Sequence, residues 1–233
     1  MIYYANWKLN KTSKEVGEFF EIFNDFTTKD KVCFFVPSKL LDVAKGCSKY
    51  NIGAQNICRE EFCAETSELS IAQALRFGAT SILVGHSERR VKFAETYEII
   101  NQKLQLCASK IECVLCIGEI VSEIVRKQEV VARQLKIALA GINPKFYRNI
   151  IIAYEPVWAI GSGKTPTSKE IEETIVFIKN FLLANYNCNF KVLYGGSVNI
   201  NNISEFKKIA SLDGFLVGGA SLDAGGFQAL IIA

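Results

Sequence analysis

A strongly apolar segment, Ile150 to Tyr154, stops at a carboxylate, Glu155. A loop opens directly behind it: Pro156-Val157-Trp158-Ala159-Ile160-Gly161-Ser162-Gly163-Lys164-Thr165-Pro166. A carboxylate at a strand end can serve as a general base, and a Gly-bearing segment bounded by prolines can serve as its movable cover. The chain's single histidine, His86, follows another apolar run, Ser81 to Val84, after one glycine. It precedes an expected helix start at which Ser87 can cap and Glu88 suits the positive end of the helix dipole. Protonation there would add like charge, so the imidazole is expected to be neutral and to donate to a carbonyl. The alternatives stay open: a histidine can simply be satisfied in a core, and Glu155 can be a structural partner of a nearby Arg or Lys.

The first apolar run delivers Asn6 and Lys8, two residues apart and expected on one face of a strand with Trp7 on the other. Lys8 can run out to solvent, or the carboxamide and ammonium can together receive an anion. Two further runs end in small-residue turns, Gly195-Gly196-Ser197 and Gly218-Gly219-Ala220-Ser221, whose backbone N–H groups can face an oxyanion. Gly163-Lys164-Thr165 has the tail of a phosphate-binding P-loop, but that motif needs glycine at position 158, which is Trp158. One base, one neutral acid, one cation and a set of backbone donors suit proton abstraction beside a carbonyl in a small phosphorylated substrate.

These residues need a scaffold that brings strand ends together. Apolar, β-branched or aromatic runs recur at 2–7, 32–36, 52–54, 81–84, 113–117, 150–154, 191–193 and 215–217. Helical periodicity fills the intervals. Val16, Phe19, Phe20, Phe23 and Phe26 mark one helix and Ile171, Ile175, Ile178 and Phe181 another, with capping boxes at Thr12/Glu15 and Thr167/Glu170. Further helices are expected at 39–45, 69–77, 97–107, 119–140 and 203–208, with a short last one after Gly225. Strands alternating with helices imply a parallel sheet covered by helices, and eight repeats in this length favour a closed (β/α)₈ barrel of one domain over residues 1–233. Periodicity alone also allows an open sheet. In such barrels the working residues sit at the C-terminal ends of the strands.

The chain has 233 residues, is 49% hydrophobic and carries a formal charge of +3. That balance argues against nucleic acid or membrane as a partner. No apolar run has the length of a membrane span, and the first residues lack a secretory pattern, so a cytoplasmic protein is expected. The eight cysteines are then expected as reduced, mostly buried thiols. Cys113 and Cys116 have C-x-x-C spacing but lie on an expected strand, which points them to opposite faces. One histidine excludes a histidine-rich metal site.

The blocks Asn6-Trp7-Lys8-Leu9-Asn10, Gly85-His86-Ser87-Glu88-Arg89-Arg90, Cys116-Ile117-Gly118-Glu119, Ala153-Tyr154-Glu155-Pro156-Val157-Trp158-Ala159-Ile160-Gly161, Tyr194-Gly195-Gly196-Ser197-Val198 and Asp213 to Leu222 resemble the triosephosphate isomerase family. The resemblance runs from the first strand to the last. It implies a TIM barrel that interconverts dihydroxyacetone phosphate and D-glyceraldehyde 3-phosphate in glycolysis and gluconeogenesis, without a cofactor. It implies Glu155 as base, His86 as neutral proton donor, Lys8 as stabiliser of the enediolate and Asn6 as a hydrogen-bond donor to substrate. It also implies phosphate held by N–H groups of Gly161, Ser197, Gly218 and Gly219, Glu88 paired with Lys8, and a lid at 156–166. The family is homodimeric, with the loop after the third strand entering the neighbouring subunit. Here that loop, 56–68, ends Thr66-Ser67-Glu68 where the family has Thr-Gly-Glu, so Ser67 would be strained if the position needs φ > 0. The chain is shorter than most relatives around 120–145, and 223–227 departs from the family pattern. A barrel aldolase using Lys8 as a Schiff-base amine and a non-catalytic barrel scaffold are the competing readings.

Overall fold

The computed structural model describes residues 1–62, 64–160 and 165–233. Eight parallel strands, β1 (Ile2–Asn6), β2 (Lys31–Val36), β3 (Asn51–Ala54), β4 (Ser81–Val84), β5 (Glu112–Ile117), β6 (Ile150–Tyr154), β7 (Lys191–Tyr194) and β8 (Gly214–Val217), pair in sequence order. β8 closes on β1, with Tyr3 opposite Phe215, so the sheet is a barrel and the open-sheet alternative falls away. Around it run α1 (Ser13–Phe23), α2 (Leu41–Cys47), α3 (Ile71–Arg76), α4 (Ser87–Lys92), α5 (Tyr97–Cys107), α6 (Lys127–Ala138), α7 (Ser168–Tyr186), α8 (Ile203–Phe206) and α9 (Ala224–Ile232).

Strand alternation divides the apolar residues into two cores. Tyr4, Phe35, Leu83, Val114, Cys116, Ile151, Leu193 and Leu216 fill the barrel. Their strand neighbours face the helices, where Trp7, Phe34 and Phe227 meet Phe19, Phe20 and Phe23 of α1. Cys113 belongs to the outer core and Cys116 to the inner one, which separates the C-x-x-C pair across the strand. Cys33, Cys47, Cys107, Cys113, Cys116 and Cys188 are free thiols.

Both capping boxes form: Thr12 accepts from Glu15 N and Thr167 from Glu170 N, while each glutamate returns a bond to the cap's backbone. Elsewhere the helices are trimmed. The stretch expected as one helix over 119–140 begins as a 3₁₀ segment, Val121–Arg126, and becomes α-helical only at Lys127. Its first half is rich in β-branched residues and none of the 3₁₀ segment is buried, so no core contact offsets their low helix propensity. α1 stops at Phe23, and Phe26 instead packs back on it from the following turn. α9 starts at Ala224, before Gly225, because Asp223 caps it by accepting from Gly226 N.

Candidate active site

The strand C-terminal ends surround a pocket of about 220 Å³, which Asn6, Lys8, His86, Glu155, Ile160, Ser197, Gly218 and Gly219 help to line. All but Ile160 sit at or within three residues of a strand end, and together they follow β1, β4, β6, β7 and β8.

Lys8 reaches the pocket in a different way from the one its spacing suggests. β1 ends at Asn6, and Lys8 has φ +52, so the two do not share a strand face. Asn6 Oδ1 accepts from Lys8 N at 3.1 Å, and Gln55 Nε2 donates to Lys8 O at 2.8 Å; these bonds hold the left-handed turn. With Oδ1 so engaged, Asn6 keeps its Nδ2 donors for the pocket. Trp7, fully buried, donates from Nε1 to Ser221 O at 3.2 Å and ties this turn to the one after β8. Lys8 Nζ lies 3.0 Å from Glu88 Oε1, with both side chains about one-third exposed.

His86, not Ser87, is the N-cap of α4. Gly85, at φ +72, turns the chain out of β4, and His86 Nδ1 then accepts from Glu88 N at 3.2 Å. An acceptor nitrogen carries no proton, so the ring proton is on Nε2, which faces Glu155 Oε1 at 3.0 Å. The other oxygen of Glu155 accepts from Ser87 N at 2.9 Å. Glu155 is 1% exposed. Burial pushes its carboxyl up, but His86, the Arg90 guanidinium and the Ser87 N–H together outweigh that and hold it below the usual carboxylate range.

Three supporting residues gain a role only from the structure: Arg90 and Glu119 lie in family-like blocks without one, and Gln55 has no signal in the sequence. Arg90 donates from Nε to Gly85 O and from Nη1 to Gly118 O, both at 3.0 Å, bracing the ends of β4 and β5. Glu119, 1% exposed, accepts from Tyr154 OH at 3.0 Å and from Trp158 Nε1 at 2.9 Å, and so anchors the start of the expected lid. Gln55, holding Lys8 and Phe35 O, lies on a loop where a glutamine reads as solvated.

In the expected lid, Val157–Ala159 forms a 3₁₀ turn, and Ser197 Oγ donates to Ala159 O at 2.6 Å. Gly161, Ser162, Gly163 and Lys164 lie outside the described residues, so the phosphate donor expected at Gly161 does too. At the end of the loop over 56–68, Ser67 does adopt φ +72 beside Thr66, while Glu68 accepts from Asn56 Nδ2 at 3.4 Å. Among the described residues no cluster of His, Cys, Asp and Glu could hold a metal ion. No described helix is long and apolar enough to cross a membrane.

Comparison with known proteins agrees with the geometry. The triosephosphate isomerase family model matches residues 1–233. The chain is 38% identical to the triosephosphate isomerase of Alkaliphilus metalliredigens, covering 97% of this chain and 96% of that protein. It is also 38% identical to the enzymes of that name from Vesicomyosocius okutanii, over 96% and 94% of the two chains, and Endomicrobium trichonymphae, over 97% and 96%.

Proposed function

The chain belongs to the triosephosphate isomerase family, so its reaction is the interconversion of dihydroxyacetone phosphate and D-glyceraldehyde 3-phosphate, and we propose that Glu155 and His86 carry its proton transfers. The observation that supports these roles is the 3.0 Å approach of His86 Nε2 to Glu155 Oε1 in the lining of a pocket of about 220 Å³.

Glu155 takes the proton from the carbon next to the substrate carbonyl. The electron pair left behind forms the carbon–carbon double bond of an enediolate, and the carbonyl oxygen takes up the negative charge. His86 donates to that oxygen from Nε2. Its Nδ1 is occupied by Glu88 N–H, so the ring gives its Nε2 proton to that oxygen and takes one back at the same nitrogen from the hydroxyl of the carbon that lost its hydrogen, which becomes the new carbonyl. The proton on Glu155 then passes to the neighbouring carbon, and the isomerisation closes with no atom or electron gained or lost. Lys8 supplies fixed positive charge to the enediolate, and Asn6 donates to a substrate oxygen. The N–H groups of Ser197, Gly218 and Gly219, with that of Gly161, hold the phosphate. No metal or organic cofactor enters, since fixed donors handle the charge.

The docked position of Glu155 is its resting one. The bonds from Ser87 N and His86 favour the carboxylate and weaken it as a base. A substrate carbonyl that takes the His86 donor, and a swing away from Ser87, leave the carboxylate buried without them, and its basicity rises. Closure of 156–166 completes this by excluding water, which also protects an enediolate phosphate from losing its phosphate.

A homodimer is part of the reading. Phe62 at the tip of the 56–68 loop and Leu9 beside the Lys8 turn are each 87% exposed, and Phe93 is 63% exposed, apolar area that a second copy would cover. A cytoplasmic location suits the buried free thiols of Cys33, Cys107, Cys113 and Cys116. The Schiff-base alternative is disfavoured because Lys8 is ion-paired with Glu88 rather than held as a desolvated amine.

The test is a coupled assay of isomerisation with Glu155→Ala. The variant is expected to keep its fold and to lose turnover by orders of magnitude. Near-normal conversion by it would remove Glu155 from the mechanism.

A further inference from the structure

The end of β5 carries a hydrogen-bonded frame that joins the two reacting groups through their backbones. Gln134 lies on α6 and is 2% exposed. Its carboxamide closes a two-bond ring on a single residue: Oε1 accepts from Gly118 N at 2.8 Å, and Nε2 donates to Gly118 O at 3.0 Å. A third bond runs from Nε2 to Tyr97 OH at 3.2 Å. Turning the amide over would set donor against donor and acceptor against acceptor on Gly118, so this orientation is fixed.

Gly118 in turn lies directly against the base. It has φ +153, and a Cβ built there would be 1.8 Å from Glu155 O and 2.6 Å from Glu155 C. Glu155 N donates to the preceding carbonyl, Ile117 O, at 2.7 Å. On its other side Gly118 O also receives Arg90 Nη1, whose Nε holds Gly85 O, the residue before His86. The path Gln134–Gly118–Arg90–Gly85 therefore has the backbone of Glu155 packed on its middle and that of His86 at its far end.

Burial alone does not call for a glutamine here. Val130, Val131, Leu135 and Ala138 already fix α6 to the barrel, and leucine at 134 would bury as much apolar surface. What the carboxamide adds is direction on one peptide. We infer that Gln134 is a positioning residue for proton transfer: through Gly118 it sets the separation of Glu155 and His86 while touching no substrate. The inference rests on the roles proposed above for those two residues.

Gln134→Leu removes the ring, leaving Gly118 O to Arg90 and Gly118 N without its acceptor. The expected result is a kcat lower by at least about tenfold, because a 1 Å misplacement of reacting groups costs up to about 10² in rate. The Ki of inorganic phosphate as a competitive inhibitor is expected to stay within about twofold, since the frame does not touch the turns after β7 and β8. Should Gln134→Leu fail to fold, Gln134→Glu keeps the shape and the Oε1 bond, loses the donor to Gly118 O, and is expected to give the same split. An unchanged kcat in either folded variant overturns the inference. So does a parallel loss of kcat and phosphate affinity, which marks general loosening of the barrel. A wild-type chain that fails to isomerise would overturn the reading of the site instead.

Discussion

Gly118→Ala adds one methyl group where the barrel has least room for it. The new Cβ would stand 1.8 Å from the carbonyl oxygen of Glu155 and 3.2 Å from its nitrogen. Carbon and oxygen approach no closer than about 3.3 Å, so the Glu155 backbone must retreat by about 1.5 Å or Gly118 must rotate. Rotation gives up the bonds of Gly118 to Gln134 and Arg90, and an L-residue is strained at φ +153 in any case. Retreat works against the bond from Glu155 N to Ile117 O and carries the carboxylate away from His86. At about 10² in rate for each ångström of misplacement, kcat should fall by about 10²–10³. Overpacking of this kind also costs about 1–3 kcal/mol, enough to lower Tm by several degrees in a chain of this size. A coupled spectrophotometric assay reads the first effect and scanning calorimetry the second. If Gly118→Ala matched wild type in both, the claim that this peptide fixes the base would be refuted.

Other predictions follow from the same geometry. His86→Ala should lose about 10²–10³ in kcat, as expected for one lost donor to a developing oxyanion, whereas a change confined to KM would make His86 a binding group only. Because the Glu155 carboxyl is held below its ordinary range, its contribution to stability is complete above that range and fades as pH falls through the depressed value. The Tm of wild type should therefore drop relative to Glu155→Gln only on acidification past the ordinary carboxylate range, and a difference that closes nearer neutrality would contradict the assignment. Sedimentation at micromolar concentration should find a dimer; a stable, active monomer would count against covering Leu9, Phe62 and Phe93 with a second copy.

What the sequence reveals is mostly what neighbours in the chain decide. Thr12 with Glu15 and Thr167 with Glu170 mark helix starts because a capping box closes within three residues. The alternation that sends Cys113 outward and Cys116 inward is equally local. The closed barrel follows from eight such repeats once β8 pairs with β1. Distant contacts are where local reading fails. Lys8 leaves its strand because Gln55, 47 residues away, holds its carbonyl. His86 takes the cap position expected of Ser87 because Gly85 turns the chain one residue earlier. Gln134 reads as an ordinary polar residue and Glu119 as a family-like one without a stated role, and only the packing of α6 and of Trp158 gives them partners. The strain anticipated at Ser67 is the exception, a conformational demand visible from a single substituted glycine.

The central claim is that Glu155 moves a proton through an enediolate, and solvent isotope incorporation tests it most directly. Dihydroxyacetone phosphate held with the wild-type chain in D₂O should gain deuterium at the carbon beside the carbonyl as it isomerises, and Glu155→Ala should abolish both incorporation and isomerisation. Interconversion with full retention of the original hydrogen would mean a hydride shift between the carbons and would contradict the account.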